Sequence, residues 1–597
     1  MKKLSILLIT TLSFAEDITV ESVYVDTPAS SFESVITGLR FEPLVDLQGR
    51  NFNEAQSDVS IRGGIFDNTE FSIGGASLYD PQTGHYSAEI PISPSMLGGA
   101  QVLTGLDQAI FGFQGVAGSV RYSLAPITST GEVRLGVGDR NLNSQSADIG
   151  HSTENIGFQI SGAHSGMDGT EIGGESELYR GSARIQHRGN GSQTDLVYGH
   201  LDKEYAWPYL YALKELHDFV GSSGVESDRT KTDLILLNHR DNYEGKSYFE
   251  ASAWFRQLDD DYEFDISNKG LFNAFEHETK SSGVSLGGVH DADKWFLKYH
   301  LLGNFDELES TALVFGPYMS RSTYTATILP GARFSVSDSR DLEVYAGARA
   351  DDTNRTSSFV GALGGIALVK EGERIFAEFS QSSQAPNYTA IGSNPNGGLF
   401  RGNPTLKNLE SSLAEIGINL EEEKTKTRFA VFYRDDQDLT DWTYDSSITP
   451  FASRSANNVD IETLGAEVSL SHQCTSRVKA LFGYTYLHKD EDYKVDGVDA
   501  SFYALNYPKH RVVAGVGVDV AENLVWKLNG EFRKQFENTL RDGEDAPILL
   551  SSSLGYVFES GLSVEAIIDN ILDEEFEEVP GVPGSGQIAA IYFGYRW

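Results

Sequence analysis

The chain has 597 residues, with 86 acidic against 47 basic side chains and a formal net charge of −39. Such an excess of negative charge argues against nucleic-acid binding, which draws its affinity from Lys and Arg neutralising phosphates, and a composition 40% hydrophobic and 22% charged argues against a disordered chain. One cysteine, Cys474, excludes an internal disulfide framework and any multi-cysteine zinc or iron–sulfur centre.

The first element reads as an export signal. Lys2 and Lys3 give a short positive region, Leu4 to Phe14 is uncharged and mostly apolar, and Ser13-Phe14-Ala15 ends it in a small-x-small pattern before acidic Glu16 and Asp17. Cleavage is expected after Ala15. No later segment reaches the ~18 continuous apolar residues of a membrane helix. If the exported chain spans a membrane, it does so as a closed barrel, because only helices and closed barrels satisfy every backbone group in lipid. Residues 16–128 are punctuated by glycine and alternate poorly. From 129 to 597 the period is two. Val512, Ala514, Val516, Val518 and Val520 oppose Arg511, Val513, Gly515, Gly517 and Asp519; Trp526, Leu528, Gly530 and Phe532 oppose Lys527, Asn529, Glu531 and Arg533. Strands with one apolar face follow, of about ten residues each, the length of a tilted membrane-crossing strand. At the end Ala589, Ile591, Phe593, Tyr595 and Trp597 share a face.

Several motifs come in an order that resembles the TonB-dependent outer-membrane receptors. They are Ile61-Arg62-Gly63-Gly64, Glu70 to Gly75, Asp80-Pro-Gln-Thr-Gly-His85 and Phe111-Gly112 through Gly118 in the first part. Gly402 to Lys407, Asn458 to Leu470 with Gly465-Ala-Glu467, Tyr507 to Arg511, Asn570 to Asp573 and the terminal strand follow in the second. The resemblance implies an all-β transmembrane barrel of about 22 antiparallel strands with an N-terminal α+β plug in its lumen, in the outer membrane of a Gram-negative bacterium. It implies a signal peptide at 1–15, a TonB box and plug at 16–128 and a barrel at 129–597. It also implies active transport without catalysis, coupled to TonB, ExbB and ExbD, by a monomer embedded in outer-membrane lipid. The chain departs from the family pattern at Thr104, where an arginine usually precedes the glycine, and at Arg121-Tyr122, which replaces a more apolar pair.

A wide barrel leaks unless filled, and the outer membrane has no ATP, so energy must arrive mechanically. The expected handle is Asp17, Ile18, Thr19, Val20 and Glu21, an extended segment able to add as a strand to a sheet edge of TonB. Ligand contacts are expected at plug apices: Arg50, Asn51 and Asn53, then Tyr79, Gln82, Thr83, His85 and Tyr86. Tyr205 to Tyr211 reads as an aromatic loop, an apolar wall for a ligand or an interfacial girdle. Asp259, Asp260, Asp261 and Glu263 offer hard oxygens for Ca²⁺ or form a solvated loop; no cofactor is otherwise required. Arg62 reads as a buried packing or plug-anchoring residue rather than a ligand contact. Gly283-Val-Ser-Leu-Gly287 matches a nucleophile string, but in a β-patterned stretch without the strand–turn–helix context that chemistry needs. The compact size resembles the cobalamin transporters, so a corrinoid is the expected ligand, with a ferric siderophore or haem next. A passive porin, a surface-binding protein or a soluble exported β-protein are the alternatives; a plug in the lumen separates them.

Overall fold

In the computed structural model, residues 34–50, 55–211, 214–242, 246–272, 275–448, 453–538, 540–541 and 546–597 are described. The expected signal peptide and the Asp17–Glu21 handle lie outside them, as do Asn51 and Asn53. Among the described residues, no helix is long and apolar enough to cross a membrane.

The plug is built on two small sheets. Strands β1 (Val45–Gly49) and β2 (Ser57–Ile61) form an antiparallel hairpin. Strands β3 (Thr69–Ile73), β4 (Ala76–Ser77), β5 (Leu97–Leu103) and β6 (Gly118–Leu124) form a mixed sheet in the order β4-β3-β6-β5, with β3 and β6 parallel. Between β5 and β6 runs the helix α1 (Gly105–Phe111). The core joins Leu39, Val45, Val59, Ile61, Phe71, Ile73 and Val120 of the plug to Val197, Leu234, Leu236, Trp254 and Leu302 of the wall. Plug and barrel therefore share one hydrophobic core.

Twenty-two antiparallel strands close the barrel around it. The first four are β7 (Gly131–Gly138), β8 (Asn143–Ser152), β9 (Ile156–Met167) and β10 (Ser176–Arg188), and the last is Ile588–Arg596. The ring closes where that last strand pairs with β7, from Ala590 opposite Gly138 to Arg596 opposite Glu132. Two-residue strands Phe400–Arg401 and Ala500–Ser501 add to the outer extensions. Alternation sorts the faces as the sequence requires. Ile591, Phe593, Tyr595 and Trp597 point outward into lipid, while Ala590 and Tyr592 are buried. An apolar outer band and a polar interior are what lipid outside and a folded plug inside demand.

Two expectations are corrected. Many strands are longer than ten residues; Thr425–Tyr444 spans 20 and Arg454–Thr475 spans 22. Their outer ends stand above the bilayer. Asp259, Asp260, Asp261 and Glu263 lie not in a loop but at the end of the strand Tyr248–Glu263. Pleating turns Asp260 inward and Asp261 outward, so the carboxylates diverge. Among the described residues, no group of three or more His, Cys, Asp or Glu side chains is arranged to hold a metal ion. Gly283 and Gly287 sit within the strand Phe275–Ala292, with no turn to present Ser285 as a nucleophile.

Candidate functional site

The functional centre of a filled barrel is the contact between plug and wall, because whatever moves through must first loosen it. Arg62 closes β2 with a positive φ of 50° and Gly63 follows at 70°. Gly64 has no room for a side chain, since a Cβ there would lie 2.3 Å from that of Ala117. This turn drives the Arg62 side chain into the wall. Its Nε donates to Glu467 (3.0 Å), Nη1 to Glu415 (2.9 Å), and Nη2 to both Glu415 (2.9 Å) and Glu467 (2.6 Å). The guanidinium also lies 4.4 Å from the centre of the Phe432 ring. Burial works to lower its hold on its proton, and the two glutamates outweigh that and raise it.

The second cation of this cluster comes from the barrel. Arg428, on the strand Thr425–Tyr444, donates from Nε to Glu467 (3.1 Å) and from Nη2 to Glu415 (2.5 Å). Thr104, where the family pattern places an arginine, stands beside Gly105, whose Cβ would lie 2.4 Å from Glu415. The site of the missing plug arginine is thus next to this cluster, and a wall arginine supplies the charge. Two cations and two carboxylates balance, as buried ions must.

The wall grips the plug largely through backbone. Inward-facing arginines donate to plug carbonyls: Arg184 to Met96 (3.0 Å), Arg256 to Leu78 (3.0 Å) and Tyr86 (2.5 Å), and Arg434 to Arg62 (3.4 Å). Arg349 reaches three at the end of α1, on Ala109 (3.0 Å), Gly112 (2.8 Å) and Phe113 (2.7 Å). Arg511 takes Arg40, Glu42 and Pro43, and Arg533 takes Leu47 and the Asp46 carboxylate (2.7 Å). Lys203–Glu89 (2.6 Å), Lys298–Asp107 (2.7 Å) and Arg121–Glu250 add ion pairs. Arg121, a departure from the family pattern, is therefore a plug-to-wall link.

Most plug-apex residues singled out from sequence are buried and tied down. Asp80 organises their loop: its carboxylate accepts from the backbone of Gln82 (3.0 Å), Thr83 (3.3 Å) and Gly84 (3.0 Å). Gln82 donates to Asp260 (2.6 Å), and the Tyr86 hydroxyl to Asp228 (2.7 Å), which also accepts from Tyr205 (3.0 Å). His85 sits 2.7 Å from Asp58 and stacks on Phe66, while Arg50 Nη2 lies 3.0 Å from the ring. Burial works to raise the Asp58 carboxyl, and His85 and Arg50 outweigh it and hold it low. The Tyr79 hydroxyl donates to Asp67 (2.7 Å), which accepts also from Asn387 (3.1 Å); burial raises the Asp67 carboxyl to about 7. Thr83 alone of this set is half-buried. Arg50, His85 and Tyr503 converge; Tyr79 and Asp67 form a second node.

Tyr205 to Tyr211 is not a loop in its first half. Tyr205 and Trp207 belong to the strand Ser192–Pro208 and point into the lumen, fully buried. They begin an aromatic layer over the plug. Tyr262 stacks with Trp207, Tyr211 meets Tyr262 and Phe400 edge-on, and Phe400 meets Trp442 and Phe502. Arg50 lies beneath it, 5.2 Å from Trp207 and 5.3 Å from Tyr211. The helix Tyr388–Gly392 joins this cover: Asn387 caps it, accepting from Ala390 (2.8 Å), and its first amides donate to the carbonyls of Pro81 (2.9 Å) and Gln82 (2.8 Å).

Sequence reasoning missed Glu415, Arg428 and the wall arginines. Each sits on the inward face of its strand, and a charged residue recurring on that face was the available signal; Glu467 was visible only as part of a landmark.

A family model described as "TonB dependent receptor-like, beta-barrel" matches residues 120–571. No curated protein matches the sequence. Among solved structures, the FrpB iron transporter of Neisseria meningitidis is similar at 13% identity, with 95% of this chain and 97% of that chain covered and a TM-score of 0.75. The copper transporter OprC is similar at 13% identity, with 94% and 97% covered and a TM-score of 0.73. The siderophore receptor PirA of Acinetobacter baumannii follows at 14% identity, with 94% and 95% covered and a TM-score of 0.69. At such identities these likenesses speak to fold. The family and its neighbours are transporters and receptors rather than enzymes, and they work in the outer membrane of Gram-negative bacteria. With the family match spanning most of its length, and a plug locked inside a closed 22-stranded barrel, the chain belongs to the TonB-dependent receptors: it is an outer-membrane protein of TonB-coupled transport that binds a small-molecule ligand.

Proposed function

We propose that this receptor imports a metal chelate, a class that includes both ferric siderophores and corrinoids, by TonB-driven displacement of its plug. The carrying observation is the Arg62–Glu415–Glu467–Arg428 cluster, which ties the plug to the barrel wall. Separating Arg62 from Glu415 and Glu467 strands buried charge, so displacing the plug costs free energy that a pull can supply. In this reading residues 1–15 are removed on export and Asp17–Glu21 pairs with TonB, powered by ExbB and ExbD. A single copy in the outer-membrane lipid suffices. The similar structures include an iron transporter, a copper transporter and a siderophore receptor, which supports a metal complex as substrate. The aromatic layer above Arg50 supports a ligand with apolar flat surfaces and some negative charge. An unplugged porin does not fit the filled lumen.

The test uses cells expressing the full chain or a variant lacking residues 17–21, given radiolabelled cyanocobalamin, a ferric siderophore panel and copper. One of these binds saturably to both proteins and accumulates only with the intact one. Equal accumulation by both overturns the energised mechanism; saturable binding of none of them overturns the metal-chelate assignment.

A further inference from the structure

Two buried acids of the wall meet over the plug apex. Asp228, on the strand Val225–Asn242, and Asp260, on the neighbouring Tyr248–Glu263, both point into the lumen near the outer ends of their strands, above the bilayer. The register sets Asp228 opposite Tyr262 and Asp260 opposite Thr230, so the two are diagonal neighbours on one face and within reach of each other. Their side chains are hydrogen-bonded, with Asp228 the donor and Asp260 the acceptor. A bond between two carboxyl groups requires a proton on one of them, because an ionised carboxylate can only accept.

The individual oxygens agree with this. Asp228 Oδ2 accepts from the hydroxyls of Tyr86 (2.7 Å) and Tyr205 (3.0 Å), and Asp260 Oδ2 accepts from Gln82 (2.6 Å). Asp228 Oδ1 and Asp260 Oδ1 are buried and meet no N–H or O–H of any other group. One proton held between the two carboxyls satisfies both.

No positive charge stands in for that proton. Arg256 is committed to the plug carbonyls of Leu78 and Tyr86, and Lys203 to Glu89. His277, opposite Asp260 on the strand Phe275–Ala292, is kept neutral by burial, which pushes it down to about 4. The other titratable groups nearby are acids: Asp80 of the plug, Glu226 and Tyr262 of the same two strands, and Tyr211. Two carboxylates packed this closely without a cation cannot both stay ionised. Burial, and then the facing carboxyl, raises Asp228 well above the ordinary carboxylate range, while burial raises Asp260 to about 6.

We propose that Asp228 and Asp260 form a proton-held latch between the wall and the plug apex. One shared proton keeps both side chains in place, and through them Gln82 and Tyr86 of the apex loop and Tyr205 of the aromatic layer. The latch works whatever cargo the receptor carries. When closed it binds a proton that two separated, hydrated aspartates release at about pH 4. It is therefore tightest in acid, and its opening constant rises about tenfold with each pH unit until the pair gives the proton up. Alkaline surroundings loosen the apex loop beneath the aromatic layer.

The test replaces the acid by its amide in the full-length receptor. In Asp228→Asn the amide donates to Asp260 and its oxygen still accepts from Tyr86 and Tyr205, so the bonds stay and the proton goes. In infrared spectra at about pH 7, the wild-type minus variant difference carries the carbonyl stretch of a protonated carboxyl. Hydrogen exchange on residues 80–89 is followed from about pH 7.5 to about 9.5, above the range in which Asp67 and Glu42 release their protons. After correction for intrinsic rates, the opening constant gains about tenfold more per pH unit in the wild type than in Asp228→Asn, and it levels off where the infrared band disappears. Asp260→Asn, with the amide on the other side of the same bond, gives the same flattened profile and serves if the first variant does not fold. Three results overturn the latch: no protonated-carboxyl band in the difference, a wild-type band that appears only after bound cations are chelated, or an equal slope in the wild type and the folded variants.

Discussion

Replacing Arg62 by alanine removes one of two cations from a cluster with two carboxylates and leaves an uncompensated buried negative charge. Glu415 and Glu467 are almost completely shielded from solvent, and Arg428 is left to serve both. Four hydrogen bonds go with the side chain. Breaking a buried pair by deleting one partner costs about 3–5 kcal/mol, most of it from the stranded charge rather than from the lost bonds. The second substitution Glu415→Gln restores neutrality by leaving Arg428 with Glu467 alone. If charge balance dominates, the double variant regains stability relative to Arg62→Ala, a coupling of about 1–3 kcal/mol measurable by a double-mutant cycle. Urea titration with hydrogen exchange on the plug segments 57–64 and 100–124 reads the plug separately from the more stable barrel. A double variant as unstable as Arg62→Ala, or less stable, refutes the reasoning and assigns the cost mainly to the lost hydrogen bonds.

Arg428→Thr alone destabilises the plug by about 3 kcal/mol for the same reason; adding Thr104→Arg recovers most of it by returning the cation to the plug, and slows uptake because a second tie must then break. Arg349→Met releases three carbonyls around the end of α1. Each bond to a charged group contributes about 1.5–3 kcal/mol, so amides at 109–115 exchange faster while those of β1 and β2 are unchanged. Asp67 keeps its proton in the folded plug up to about 7 and loses it far lower when unfolded. The folded state therefore binds the extra proton between those limits, and plug stability falls as pH rises from about 4 to 7. Asp67→Asn flattens that part of the profile in unfolding titrations between pH 4 and 8; an unaltered slope assigns it to the other buried plug carboxyls that burial raises, Glu42 (to about 7) and Glu70.

The barrel was legible because lipid and a polar interior impose opposite demands on adjacent residues, so Val512 and Trp526 declare one face while Arg511, Glu531 and Arg533 declare the other. The aspartate run at 259–261 misled for an identifiable reason. Aspartate has low strand propensity, but the ladders to both neighbouring strands continue above the bilayer and override it. Tyr205 and Trp207 fall in the stretch read as a loop, yet the strand Ser192–Pro208 carries both and ends at the proline. The site was less legible. Arg62 stood out through its glycine-flanked turn, yet Glu415 and Glu467 lie 353 and 405 residues away along the chain, and nothing local in either announces a partner. The apex residues Gln82, His85 and Tyr86 read from sequence as ligand contacts, and in the fold their polar groups are taken up by Asp260, Asp58 and Asp228, partners that lie remote from them along the chain.

The wall arginines bear on how such a plug tolerates mutation. Arg256, Arg349 and Arg511 recognise main-chain oxygens, which every amino acid carries. A plug side chain at positions such as Leu78, Ala109 or Pro43 can be exchanged for another of similar bulk without erasing the acceptor its guanidinium needs. The interior can therefore drift in sequence while the embrace holds, and a substitution scan of those plug positions should score as more permissive than one of the arginines that face them.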